Sequence, residues 1–176
     1  MSGVQIFAKR FWGFDPEHQP IITFRFEGDR DALLEASRPG DLILFVGTQT
    51  EGTAPPDQGR LLGLAEIGRK AIEAEELLDL KRLKPSEFDE DGRYRWPKAV
   101  PMLRAWRFLT PPVVTEVLLK QLPPPATIRA ILLGSADRDA VMALPREEVP
   151  LAGMLSRRLQ TTALVLVENE VTAGGY

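Results

Sequence analysis

Pro39-Gly40-Asp41-Leu42-Ile43-Leu44-Phe45-Val46, a polar loop over residues 47–59, and then Leu61-Leu62-Gly63-Leu64-Ala65-Glu66-Ile67 is the passage that decides the fold. A Pro-Gly turn reverses the chain and delivers a continuous apolar run, which reads as a buried strand. The loop is rich in Gly, Thr and Gln with two prolines, so it forms no regular element; an irregular stretch of that length between strands is often a binding loop. Residues 60–69 then alternate and carry glycines at 63 and 68, the pattern of a bent strand, expected to pair with the strand before the loop.

Outward from that pair, residues 4–11 and 21–26 read as strands, separated by Asp15-Pro16 and Gln19-Pro20. Helices are expected over residues 29–37, 71–84, 113–121, 137–143 and 151–159. Further strands are expected over residues 127–133 and 161–167, and residues 94–108 are extended because Pro97 and Pro101 deny them a long helix. Scattered strands with short helices between them, without regular alternation, define an α+β domain with a curved sheet or open barrel. With 176 residues the chain is read as one domain, 1–176, with a frayed tail at 172–176.

Composition removes several function classes. No cysteine is present, which excludes disulfides, thiolate metal sites and a cysteine nucleophile. No apolar run reaches the length of a membrane span, so a soluble, cytoplasmic protein without a membrane partner is expected. The net charge of −3 argues against coating nucleic acid by bulk charge, so any such contact must be local. The one histidine, His18, sits in a proline-bounded loop and reads as a surface residue. Glu73, Glu75, Glu76 and Asp79 read as the solvated face of a helix, and no metal site or cofactor is expected. The glycines match neither a phosphate loop nor a dinucleotide fingerprint, and Ser135 lacks the setting of a hydrolase nucleophile.

What remains is a grouping of rings and cations. Phe11, Trp12 and Phe14 stand near the start; Tyr94, Trp96 and Trp106 are interleaved with arginines in residues 93–107, a stretch with five cations and no acid, and Phe108 follows it. Rings grip bases by stacking and arginines answer phosphates. Trp106 and Phe108 also fit a core, whereas Trp12, Phe14 and Trp96 stand where rings are often exposed.

The order of Pro39-Gly40-Asp41, the apolar strand, the polar loop and Leu61-Leu62-Gly63-Leu64-Ala65-Glu66-Ile67, with Arg93-Tyr94-Arg95-Trp96-Pro97 and Phe108-Leu109-Thr110-Pro111-Pro112 later, resembles the PUA-like superfamily, nearest its EVE, YTH and ASCH branches, over about residues 4–150. The chain departs from the EVE pattern in that its first tryptophan is at 12. The resemblance implies a curved or open β-barrel of about five to seven strands flanked by short helices. It also implies a non-catalytic module that flips a modified, methylated base of DNA into an aromatic-lined pocket. By position, Trp12, Phe14, Thr48, Gln49, Tyr94 and Trp96 would hold the base, with Arg10, Arg93 and Arg95 on phosphate. Cleavage would belong to a separate partner nuclease. Three alternatives stay open: an RNA-binding domain, an ASCH-like enzyme on nucleosides or nucleic acid using Glu66, Lys70 or Asp41, and a protein- or small-molecule-binding domain.

Overall fold

The computed structural model describes residues 3–153. In chain order its elements are β1 (Ile6–Phe11), β2 (Ile21–Phe24), α1 (Glu27–Ala36), β3 (Leu42–Gly47), β4 (Leu61–Ile67), β5 (Ile72–Glu73), β6 (Lys98–Phe108), α2 (Val114–Val117), β7 (Ile131–Leu132), α3 (Ser135–Met142) and β8 (Arg146–Val149). The strands form one sheet in the order β2-β6-β4-β3-β1-β7, with β5 and β8 as further partners of β6. β1 and β3 run parallel, in register from Ile6 opposite Leu42 to Phe11 opposite Gly47; every other pair is antiparallel. The class is α+β, as expected.

The long strand β6 organises the sheet. Its first half pairs with β2 and β5, and its second half with β4 and β8. Register shifts between Phe45 and Val46 and between Glu66 and Ile67 mark bulges, which bend strands and increase twist. The resulting curl is visible in the packing. β1 and β2 are separated by β6, β4 and β3 in the sheet order, yet Phe7 and Phe11 share one buried cluster with Ile22 and Phe24. α1 closes this inner face with Leu33. The opposite face, carrying Ile6, Ala8, Leu44, Val46 and Leu64, is covered by Leu118, Leu122, Ala126 and Val141 from the segment around α2 and α3. Each fully buried Leu, Ile or Phe contributes roughly 1.5–3 kcal/mol relative to exposure, so these two layers supply the driving force for the curl.

Four readings change. Residues 71–84 are not a helix but β5 followed by single 3-10 turns at Ala74–Glu76 and Leu80–Arg82. Ile72 is committed to β6 opposite Ala99, Ala74 donates its N–H to the Pro97 carbonyl, and the Asp79 carboxylate takes the Lys81 N–H, a local bond that competes with a helix. Accordingly Glu73, Glu75, Glu76 and Asp79 are not one helical face: Glu73 pairs with Lys98 at 2.7 Å, and the Glu76 carboxylate accepts from the Glu73 N–H. The helix expected over 113–121 stops at Val117, because the buried carboxylate of Asp137 accepts from the backbone N–H groups of Leu119 and Lys120 and draws the chain away. Of residues 127–133 only Ile131–Leu132 is strand; Ile128 and Arg129 still donate to the Pro125 carbonyl as a turn does. β8, Arg-Glu-Glu-Val, has no apolar run to announce it and is held on β6 by its ladder and by the Arg104–Glu148 pair. The strand expected over 161–167, the tail at 172–176 and the helix expected over 151–159 beyond residue 153 lie outside the described residues. No helix among the described residues is long and apolar enough to cross a membrane.

Candidate functional site

Because β1 and β3 are parallel, their carboxyl ends, Phe11 and Gly47, lie side by side, and the two segments that follow rise from the same end of the sheet. Between them and the segment leading into β6 lies a cavity of about 1070 Å³. Its wall includes Trp12, Phe14, Thr48, Tyr94 and Trp96, together with Arg10 and Arg95, so seven of the nine residues singled out from the sequence meet there. Gln49 and Arg93 do not. The Gln49 amide lies over Gly59, and Arg93 lines a separate cavity of about 480 Å³ beside Phe26 and Phe88.

The aromatic wall is assembled ring on ring. Trp12 and Trp96 meet edge to face, centroids 4.7 Å apart and planes at 79°, and Tyr94 supports Trp96 in the same way at 5.8 Å and 83°. Deeper, Phe45 stacks on Phe11 at 3.9 Å and touches Phe14 at 4.7 Å. Glycines make this packing possible. A Cβ on Gly52 would fall 2.2 Å from the Trp12 ring, and one on Gly63 2.2 Å from the Phe14 ring. Burial raises the pKa of the Tyr94 hydroxyl, so that group stays protonated.

Polar groups hold the rings in place. Arg107 donates twice to Glu17, at 2.8 and 2.9 Å, and once to the Phe14 carbonyl at 3.2 Å, pinning the segment between Trp12 and β2. The hydrogen bond from Arg107 holds the Glu17 carboxyl below its usual pKa, and Glu17 in turn raises that of Arg107. The loop after β3 is an ordered structure. The Thr48 hydroxyl bonds those of Thr50 and Thr53, Thr48 N–H donates to the Phe11 carbonyl, and the Gln58 amide donates to the carbonyls of Thr50 and Thr53. Thr48 is therefore occupied within the loop.

The cations divide into two groups. Lys98, Arg104 and Arg107 are paired with Glu73, Glu148 and Glu17. Arg95 bonds the Ser86 carbonyl with Nε and stands 5.8 Å from the Trp12 ring, and Arg10 reaches the carbonyls of Leu122 and Pro123. Arg82, paired with Asp79 at 3.5 Å, and Lys84 also border the cavity, as do Asp15, Glu51 and Glu87.

The acid-base candidates stand elsewhere. Asp41 is buried and accepts from the backbone N–H groups of Gln5 and Arg38, fixing the turn into β3. Glu66 and Lys70 are not in the wall. His18 is exposed and bonds Asp15 at 2.9 Å, which raises its pKa.

Sequence reasoning missed Lys9. It belongs to the cavity wall although only 2% of its surface is exposed. Its Nζ lies 4.2 Å from the Phe11 ring centre and 5.4 Å from that of Phe24, and desolvation lowers its pKa to about 7. The signal was available: strand alternation puts residues 7, 9 and 11 on one face, so a lysine between two inward phenylalanines points into the barrel.

These features define an α+β chain with a curled sheet whose open end holds an aromatic cavity bordered by cations. No family model and no curated protein matches the chain. Among solved structures it is similar to the YTH domain of Zygosaccharomyces rouxii MRB1 protein, determined in complex with N6-methyladenosine RNA. The sequence identity is 16%, 90% of this chain and 86% of that one are covered, and the TM-score is 0.30. At that level of likeness the reading of the site rests on the geometry of this chain.

Proposed function

We propose that the cavity receives a nucleobase, a modified base flipped from a nucleic-acid strand, and that the chain is a binding module for it. The observation that carries this is the perpendicular pair of Trp12 and Trp96 in the cavity wall. At 4.7 Å the rings touch, so a base does not slide between them; it stacks on one and meets the edge of the other. A stacked base contributes roughly 1–3 kcal/mol, enough to offset much of the few kcal/mol that flipping costs. A space of about 1070 Å³ also has room for the sugar and flanking phosphates, where Arg10 and Arg95 stand.

DNA carrying a methylated base is the leading ligand and RNA the second reading. Fluorescence anisotropy with labelled duplexes and single strands tests both, each containing one unmodified or one methylated adenine or cytosine, as DNA and as RNA. The expected result is saturable binding that depends on one modification and is lost in Trp12→Ala and Trp96→Ala. Binding to no oligonucleotide at low salt would overturn the reading.

A further inference from the structure

Lys9 is among the largest fully buried side chains of the described residues, and its amine meets there the rings of Phe11 and Phe24 and one backbone carbonyl. An ammonium has three donors. The Nζ of Lys9 uses one, in a long hydrogen bond of 3.4 Å to the Arg10 carbonyl. No carboxylate among the described residues bonds it. The charged group whose field reaches it is Asp29, from the first turn of α1, and this only partly offsets desolvation. The Arg10 side chain is engaged with the carbonyls of Leu122 and Pro123. Buried amines are ordinarily paired, because an uncompensated charge in a low-dielectric site is costly. A cavity-lining amine with spare donors is a group that a ligand completes.

The two residues read from the sequence as base-edge contacts do not take that role. Trp12 and Trp96 cannot tell one base from another by stacking, since every base has a π-face. The Thr48 hydroxyl is occupied by Thr50 and Thr53, and Gln49 lies outside the cavity. We propose that Lys9 is the specificity-determining residue of the cavity: its amino group donates hydrogen bonds to an exocyclic oxo oxygen of the bound base, favouring bases that present an oxo group over those that turn an amino group inward. This rests on the cavity being a base site. An amino edge facing Lys9 would set donor against donor and leave both unsatisfied, a mismatch that lowers affinity about tenfold or more.

Inosine 5′-monophosphate and adenosine 5′-monophosphate differ in the oxo or amino group at purine position 6, and titrating each while following tryptophan fluorescence isolates the contact. The full chain, Lys9→Met, Lys9→Arg and Trp12→Ala are compared at pH 6 and pH 8.5, with thermal melting of each variant. The wild type is expected to prefer the oxo purine at least tenfold at pH 6 and less at pH 8.5, since the ammonium form is the stronger donor. Lys9→Met is expected to bind both alike, and Trp12→Ala to weaken both equally. If wild type binds both alike while Trp12→Ala still loses affinity, or if Lys9→Met keeps the preference, the role of Lys9 is overturned and the base cavity stands. Should the wild type show no binding to either nucleotide or to any oligonucleotide, both proposals fall. If Lys9→Met does not fold, the wild-type pH profile decides: an oxo preference that does not change between the two pH values contradicts the proposal.

Discussion

At the scale of single residues, Trp12, Gly52 and Lys9 make distinct predictions. Gly52→Ala places a methyl group where the Trp12 ring lies, so the ring or the loop must move. Oligonucleotide affinity should fall about five- to tenfold with only a small change in melting temperature, and a Trp12 emission shift should accompany it. Lys9 acts on stability through its proton. Its folded pKa of about 7 lies below the ordinary 10.5, so the unfolded chain binds more protons between those values. Stability should therefore rise with pH from about 7 towards 10.5, with the burial cost present in full below 7. Urea denaturation across that window should show the slope in wild type and lose it in Lys9→Met, which should be at least as stable as wild type at pH 6. The rings and Arg95 were legible because residue type and flanking prolines mark them. Lys9 was passed over because a lysine in a strand is ordinarily solvated, although its place between Phe7 and Phe11 on one strand face sets it among the inward rings.

Among elements, the brace between the Trp12–Glu17 segment and β6 decides how well the rings are placed. Glu17 and Arg107 are each about one-third exposed, so their pair is worth roughly 0.5–1 kcal/mol. Because the Glu17 pKa is depressed, that contribution is present above about pH 4.5 and fades as the pH falls through the folded value. Glu17→Gln should thus be less stable than wild type at pH 7, with the difference shrinking as the pH is taken down below 4.5, by urea denaturation. Arg107→Ala should weaken base binding more than it lowers stability, since it also frees the Phe14 carbonyl. The apolar runs of β3 and β4 and the mixed apolar and polar pattern of β1 were readable because burial on a sheet needs such patterns. Residues 71–84 misled because their leucines have helical spacing while Ile72 and Ala74 are claimed by β6 and the segment before it, a tertiary choice that periodicity does not record. β8 escaped notice because its pairing is stabilised by ladder bonds and Arg104–Glu148 rather than by an apolar stripe.

For the whole molecule, the net charge is −3, and five of its 22 lysines and arginines, Lys9, Arg10, Arg82, Lys84 and Arg95, border the cavity together with the carboxylates of Asp15, Glu51 and Glu87. If Arg10 and Arg95 are the phosphate contacts, two phosphates are neutralised. The slope of log affinity against log salt should then be about −1.4 for a single strand to −1.8 for duplex DNA, far shallower than for a protein that coats the backbone. A steep slope, measured by anisotropy between low and physiological salt, would show that charge rather than the cavity dominates. Trp12 and Trp96 are the proposed base contacts, and the chain contains three tryptophans, the third being Trp106, which packs with Arg104 away from the cavity wall. The most direct measurement is therefore a titration with the best-binding oligonucleotide, read on the three indole N–H signals by nuclear magnetic resonance. The Trp12 and Trp96 signals should shift together with one affinity while the Trp106 signal stays in place; shifts confined to Trp106, or binding with all three unmoved, would contradict base binding at the Trp12–Trp96 pair.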